Sequence, residues 1–278
     1  MKLYKDQNKI ERFLHSAVIT NGKFCSCEEA LEWIDARKKD VKVEIEITKL
    51  SNLGDWNFNK DSGNIKHKTG KFFSIDGIDV QIQTINGETK NWSQPIINQP
   101  EIGYLGCIVK EFNGLLYFLV QAKIEPGNEN VVQISPTLQA TKSNYTRAHK
   151  GNAPAFLDYF NIPGKSKILV DQLQSEQGAR FLAKRNRNII VEVDEELDLT
   201  EDFKWLTLGQ IKKLCCYDNV INMDLRTVIS CIPFHEVNEV FLESIKNEYY
   251  LNSYNGANFL DSILSKNNNH ISTDSVIS

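Results

Sequence analysis

Histidine is scarce in this 278-residue chain, and the five present, His15, His67, His149, His235 and His270, lie far apart. None has a second histidine at helical spacing, so a protein metal site is not expected. Six cysteines are scattered, and the two close pairs, Cys25 with Cys27 and Cys215 with Cys216, lack the two-residue spacing of zinc ligands and thiol redox motifs. Reduced thiols in a cytoplasmic protein are the reading they support. No apolar run approaches the ~20 residues of a membrane span, and the start MKLYKDQNKIERF is too polar for a signal peptide. The glycine-rich loops that cradle phosphates and dinucleotides are missing, as is the Gly-x-Ser-x-Gly turn of serine hydrolases. NAD is thereby removed, and no cofactor is expected. No basic stripe stands out either: net charge is −4, and the closest to one is KRNR at residues 184–187. That run suits a phosphate or two but no polyanion, so neither nucleic acid nor membrane is an expected partner.

What is present is ordinary for a globular chain: 41% hydrophobic and 24% charged residues, enough for one domain with appendages. Residues 1–40 read as helical, with Ile10, Phe13 and Leu14 at helical spacing and Ser26 three positions before Glu29 as a capping box. Alternation in VKVEIEITKL predicts a half-solvated strand from Val41, and residues 51–64 read as a loop. Asp76-Gly77 and Asn113-Gly114 each predict a tight hairpin. KILVDQ and IIVEV read as strands, Ser175 as the cap of a short helix over QSEQGARFLAKR, and Thr207 and Asn222 as the starts of two amphipathic helices. Beyond His235, one or two weaker helices precede a polar end expected to be disordered. Hairpins with helices at the ends predict an α+β fold.

Residues 121–152 hold the densest mixture of polar side chains. Gln121, Lys123 and Glu125 alternate at the end of an apolar run and would share a strand face. Ser135, Gln139, Thr141, Ser143, Asn144, Tyr145 and His149 follow with hydroxyls, amides, a phenol and an imidazole, a set suited to a poly-hydroxylated ligand. The plainer reading is a polar loop whose side chains satisfy their own backbone. Lys123, Glu125, Tyr145, His149 and Glu176 are the candidate proton carriers. Each also has a structural reading: a Lys-Glu pair, a core ring, a packed imidazole, a carboxylate favouring a helix dipole.

Several long strings resemble the NDP-hexose 2,3-dehydratases. They are IKHKTGKFF (65–73), WSQPIINQPEIGYLG (92–106), QAKIEPGN (121–128), QISPTLQATKSNYTRAHKG (133–151), DQLQSEQGARFLAKRNRN (171–188), WLTLGQIKKL (205–214) and NMDLRTVISCIP (222–233). The resemblance implies a Nudix-like module, a mixed sheet sandwiched by helices, over residues 41–235, with residues 1–40 a helical segment and 236–278 a helical segment and flexible tail. It implies loss of water across carbons 2 and 3 of a nucleotide-linked 4-keto-6-deoxyhexose, dTDP-linked by expectation. A downstream 3-ketoreductase would take the product. The acidic metal-binding helix of true Nudix hydrolases has no counterpart, so pyrophosphate hydrolysis is not implied. Family members carry two such modules and this chain one, which leaves either a homodimer or a different job, the alternative being a non-catalytic sugar-nucleotide sensor or accessory module. On this reading Tyr145 or His149 is the base or acid, Lys123 a donor to the carbon-4 oxygen, and Glu125 or Glu176 the second proton carrier. Ser135, Gln139, Thr141, Ser143 and Asn144 hold hydroxyls or phosphate oxygens, joined by Gln121, Gln94, Gln174, Gln177 and Asn186. Arg185 and Arg226 meet the pyrophosphate, and Trp92 stacks on base or sugar.

Overall fold

The computed structural model describes residues 7–141, 153–234 and 239–249. The first helix, α1 (Gln7–Val18), buries Ile10, Phe13, Leu14 and Ala17, spaced by three or four so that they share one stripe. The second, α2 (Cys27–Lys39), begins as expected: the Ser26 side chain accepts from the Glu29 amide at 3.0 Å, and the Glu29 carboxylate accepts from the Ser26 amide at 2.7 Å.

The next segment departs from expectation. Residues 41–49 form no strand, and Ile45 and Ile47 are exposed. Alternating apolar residues make a strand only where a neighbour completes the hydrogen-bond ladder, and no described strand pairs with them. An antiparallel sheet follows in the order β1 (Trp56–Phe58), β2 (Ile65–His67), β3 (Ser74–Gln83) and β4 (Thr89–Asn98), so the loop expected over 51–64 already contains a strand. The hairpin expected at Asp76-Gly77 is also corrected. β3 runs through both residues, Gly77 opposite Pro95, and the chain reverses at residues 84–88, where Gly87 takes φ 85°. Asn86-Gly87 carries the same turn chemistry further on, and only the later turn sets Ile75 opposite Ile97.

The larger, seven-stranded sheet is built from β5 (Gly103–Phe112), β6 (Leu115–Ile124), β7 (Val132–Pro136), β8 (Leu138–Ala140), β9 (Lys167–Ser175), β10 (Arg185–Glu192) and β11 (Phe203–Thr207). Its order is β11-β6-β5-β10-β9, with β7 on β6 and β8 on β5, and among the described strands only β5 and β10 run parallel. The β5–β6 hairpin turns where expected, Asn113 and Gly114 both at positive φ, 55° and 79°. The described residues also form the α-helices α3 (Asp158–Asn161), α4 (Leu208–Leu214), α5 (Met223–Ser230) and α6 (Glu239–Tyr249). Thr207 and Asn222 cap α4 and α5, as their sequence predicts.

Side-chain alternation sends Cys107, Val109, Phe118 and Val120 to the face covered by α1, α2, α4 and α5. Ile108, Leu119, Ile189 and Val191 go to the other face, against Leu157 and Phe160 of the α3 region. The mixed sheet between helices is the α+β class expected. Among the described residues no helix is long and apolar enough to cross a membrane.

One more expectation fails at a place that matters. No helix forms over residues 175–184: β9 runs to Ser175, and the Glu176 amide donates to the Lys184 carbonyl at 2.9 Å, closing a hairpin onto β10. Gly178 weakens a helix here, and the antiparallel pairing of β9 with β10 needs a reversal within these residues.

Candidate active site

Strand register assembles the floor of a cavity. Asn188 stands opposite Leu105 and Asn186 opposite Gly103 on one side of β10, and Asn186 opposite Gln174 on the other. Paired residues share a face, so these five lie together on the side that α5 covers. Met223, Asp224 and Thr227 of α5 lean over them, and Ser175, Glu176 and Gln177 close the end. The cavity, open to solvent on one side, has a volume of about 230 Å³. Gly103 makes room for the Asn186 side chain: a Cβ there would stand 2.9 Å from Asn186 Oδ1 and 3.3 Å from the Ala140 carbonyl.

The hairpin loop between β9 and β10 aims Glu176 inward. Asn186 Nδ2 donates to Glu176 Oε2 at 2.7 Å, and the Gln177 amide donates to Oε1 at 3.3 Å. Beneath it, Lys184 is buried and donates to the Glu101 carbonyl at 2.5 Å, its pKa lowered by burial. The outer side of the loop is tied to the smaller sheet. Gln94 Nε2 donates to the Ala179 carbonyl and Trp92 Nε1 to Gln94 Oε1, each at 2.8 Å. The Ile97 amide donates to the Arg180 carbonyl at 2.8 Å, and the Leu182 amide returns the bond to Ile97 at 2.9 Å.

A second polar chain reaches the same helix from β6. Gln139 Nε2 donates to Glu125 Oε1 at 2.7 Å, and Asn222 Nδ2 donates to Gln139 Oε1 at 3.1 Å. Asn222 Oδ1 accepts from the Leu225 amide at 2.8 Å, so one side chain both caps α5 and anchors it to this chain. Between the two chains sits Asp224. Its carboxyl is pushed up to about 6 by burial first, then by the like charges of Glu125 and Glu176, while Lys123 pulls the other way. A carboxyl so poised exchanges protons near neutrality. Sequence reasoning did not single out Asp224, because an acid in the first turn of a helix has an ordinary reading as a dipole partner.

The structure therefore brings Lys123, Glu125, Gln139 and Glu176 into one electrostatic neighbourhood and puts Gln174, Gln177 and Asn186 in the cavity wall. Trp92 and Gln94 hold the outside of the loop and do not line the cavity. The Ser135 hydroxyl donates to the carbonyls of Gln121 and Pro136, at 3.3 and 3.0 Å. Thr141 follows β8 directly, at the edge of the described residues. Arg185 is exposed at the start of β10. Arg226 donates to the carbonyls of Ile221 and Cys215, at 3.2 and 3.1 Å, away from the cavity wall. Ser143, Asn144, Tyr145 and His149 lie outside the described residues. Among the described residues no group of three or more His, Cys, Asp or Glu is placed to hold a metal ion.

The sequence profile of NDP-hexose 2,3-dehydratases matches residues 27–232, which includes every wall residue of this cavity. The chain belongs to the NDP-hexose 2,3-dehydratase family. It is 47% identical over 229 residues to a dTDP-4-dehydro-6-deoxy-alpha-D-glucopyranose 2,3-dehydratase of Saccharopolyspora spinosa, covering 82% of this chain and 47% of that protein. It is 44% identical over 230 residues to one of the same name from Amycolatopsis orientalis, covering 82% of this chain and 49% of that protein. It thus spans about half the length of these family members. Solved structures to which the fold is similar include a Nudix hydrolase from M. smegmatis, RenU, at TM-score 0.32 and 14% identity, over 58% of this chain and 100% of that one. An overlap that slight carries nothing about substrate or mechanism.

Proposed function

We propose that this family member removes water across carbons 2 and 3 of a nucleotide-linked 4-keto-6-deoxyhexose, the activity its relatives from S. spinosa and A. orientalis are named for. The observation that carries the reading is Asp224, a carboxyl poised near neutrality in a small polar cavity made by family-matched residues.

The ketone at carbon 4 acidifies the hydrogen on carbon 3, and the hydroxyl on carbon 2 is one bond further along. Asp224, ionised above about pH 6, takes the carbon-3 proton as general base. The enolate that forms at the carbon-4 oxygen is met by a donor, the role of Lys123. Asp224 then returns its proton to the departing carbon-2 hydroxyl, so one water leaves and no electrons enter. Burial first, and then the like charges of Glu125 and Glu176, keep the Asp224 carboxyl from being too weak a base by disfavouring its charge. The product is an enol that relaxes to a 3,4-diketo sugar, a substrate for a separate 3-ketoreductase.

The test is incubation with a dTDP-linked 4-keto-6-deoxyglucose and a trapping reductant, followed by mass analysis. A product lighter by one water is the expected result. An unchanged sugar bound to the protein would replace this reading with that of a sugar-nucleotide-binding accessory module.

A further inference from the structure

Asn188 sits in the middle of β10 with no exposed surface, one residue before the apolar run Ile189, Ile190 and Val191. Its Nδ2 donates to the Asn186 carbonyl at 3.4 Å, a contact that only the nitrogen end of the carboxamide can make. The other end, Oδ1, is buried and has no hydrogen-bond partner among the described residues. Such an acceptor costs stability, and an aliphatic side chain would continue the packing of the strand without that cost. Yet Asn188 belongs to the wall of the cavity, beside Asn186 and Glu176.

We infer that Asn188 is a specificity-determining residue whose carboxamide oxygen accepts a hydrogen bond from the carbon-3 hydroxyl of the bound sugar. The inference rests on the function proposed above and adds the group that selects the sugar. At about 230 Å³ the cavity is smaller than the ~300–1,000 Å³ that encloses drug-sized ligands. It takes the hexose and leaves the nucleotide outside, past the exposed Gln177 and Met223. A lone acceptor selects a donor, which excludes the carbon-4 ketone and the phosphate oxygens. Held against the carbon-2 hydroxyl, an acceptor would oppose the protonation that lets it depart. The carbon-3 hydroxyl remains, and fixing it orients the carbon-3 hydrogen toward Asp224 across the cavity.

The test compares full-length wild type with Asn188→Leu, near in size and lacking the acceptor, by calorimetric binding of dTDP, dTDP-glucose and dTDP-3-deoxyglucose. Wild type is expected to prefer dTDP-glucose over its 3-deoxy analogue by about tenfold or more, since a site built to bond a hydroxyl rejects the ligand lacking it. Asn188→Leu should bind both sugars alike, keep wild-type affinity for dTDP, and melt without ligand no lower than wild type. A variant that melts lower and retains the preference would make Asn188 structural and overturn the inference. Should the variant not fold, the wild type alone decides: equal affinity for the two sugars overturns it. Wild type that binds neither of these sugars would overturn the inference, whereas failure to remove water from a dTDP-linked 4-keto-6-deoxyglucose would remove the proposed function itself.

Discussion

The two ends of the parallel pair β5 and β10 are built on opposite principles. At one end Cys107, Ile108, Val109, Ile189, Ile190 and Val191 are fully buried, and helices pack both faces. At the other, Gly103, Asn186 and Asn188 replace apolar bulk with a glycine and two amides, and α5 holds a carboxyl over them. The first end gains stability from every side chain it buries. The second keeps an unpartnered acceptor and a carboxyl whose charge is disfavoured, both of which cost stability in the free protein. That difference is what supports the proposal of a site at the second end, because folded chains keep such costs mainly where they bind or react.

Damage at the packed end should show in stability. Phe118 has no exposed surface and faces Phe13 at 6.1 Å between ring centroids. Phe118→Ala is expected to lose about 3–5 kcal/mol in urea unfolding. A loss below about 1 kcal/mol would break the contrast.

The cavity end should respond in the opposite sense. Asp224 ordinarily titrates at 3.8 and in the fold at about 6. Between those values the folded state keeps a proton that the unfolded chain has released, so stability falls as pH rises, and the whole cost is present above about 6. Asp224→Asn removes it. The variant should be more stable than wild type by about 1–3 kcal/mol at pH 7, with the gap closing as pH drops toward about 4. Urea unfolding at the two pH values decides it, and a destabilised variant at pH 7 would place Asp224 among the packed residues.

The same contrast explains what could be read from residues alone. The hairpin at Asn113-Gly114 and the caps Ser26, Thr207 and Asn222 were legible because their causes are local: a positive φ, an orphan amide, a side chain three residues away. The strand expected from Val41 and the turn expected at Asp76-Gly77 failed because partner strands decide both, and alternation carries no information about a partner. Of the residues singled out from the sequence, Glu176, Gln174, Gln177 and Asn186 line the cavity, although the helix expected to carry Glu176 is a hairpin loop. Asp224 and Asn188 were illegible. What marks them is burial beside like charges for one and lack of a partner for the other, and neither property exists before the sheet and α5 meet.

The most direct measurement is the pH dependence of kcat/KM for water loss from a dTDP-linked 4-keto-6-deoxy sugar, in wild type and in Asp224→Asn. Wild type should rise through an acidic limb centred near 6 and level off above it, the mark of a base that must be ionised in the free enzyme. Asp224→Asn should fall by about two orders of magnitude and lose that limb while still binding dTDP. A variant with wild-type turnover, or one that keeps the limb near 6, would contradict the assignment of the proton to Asp224.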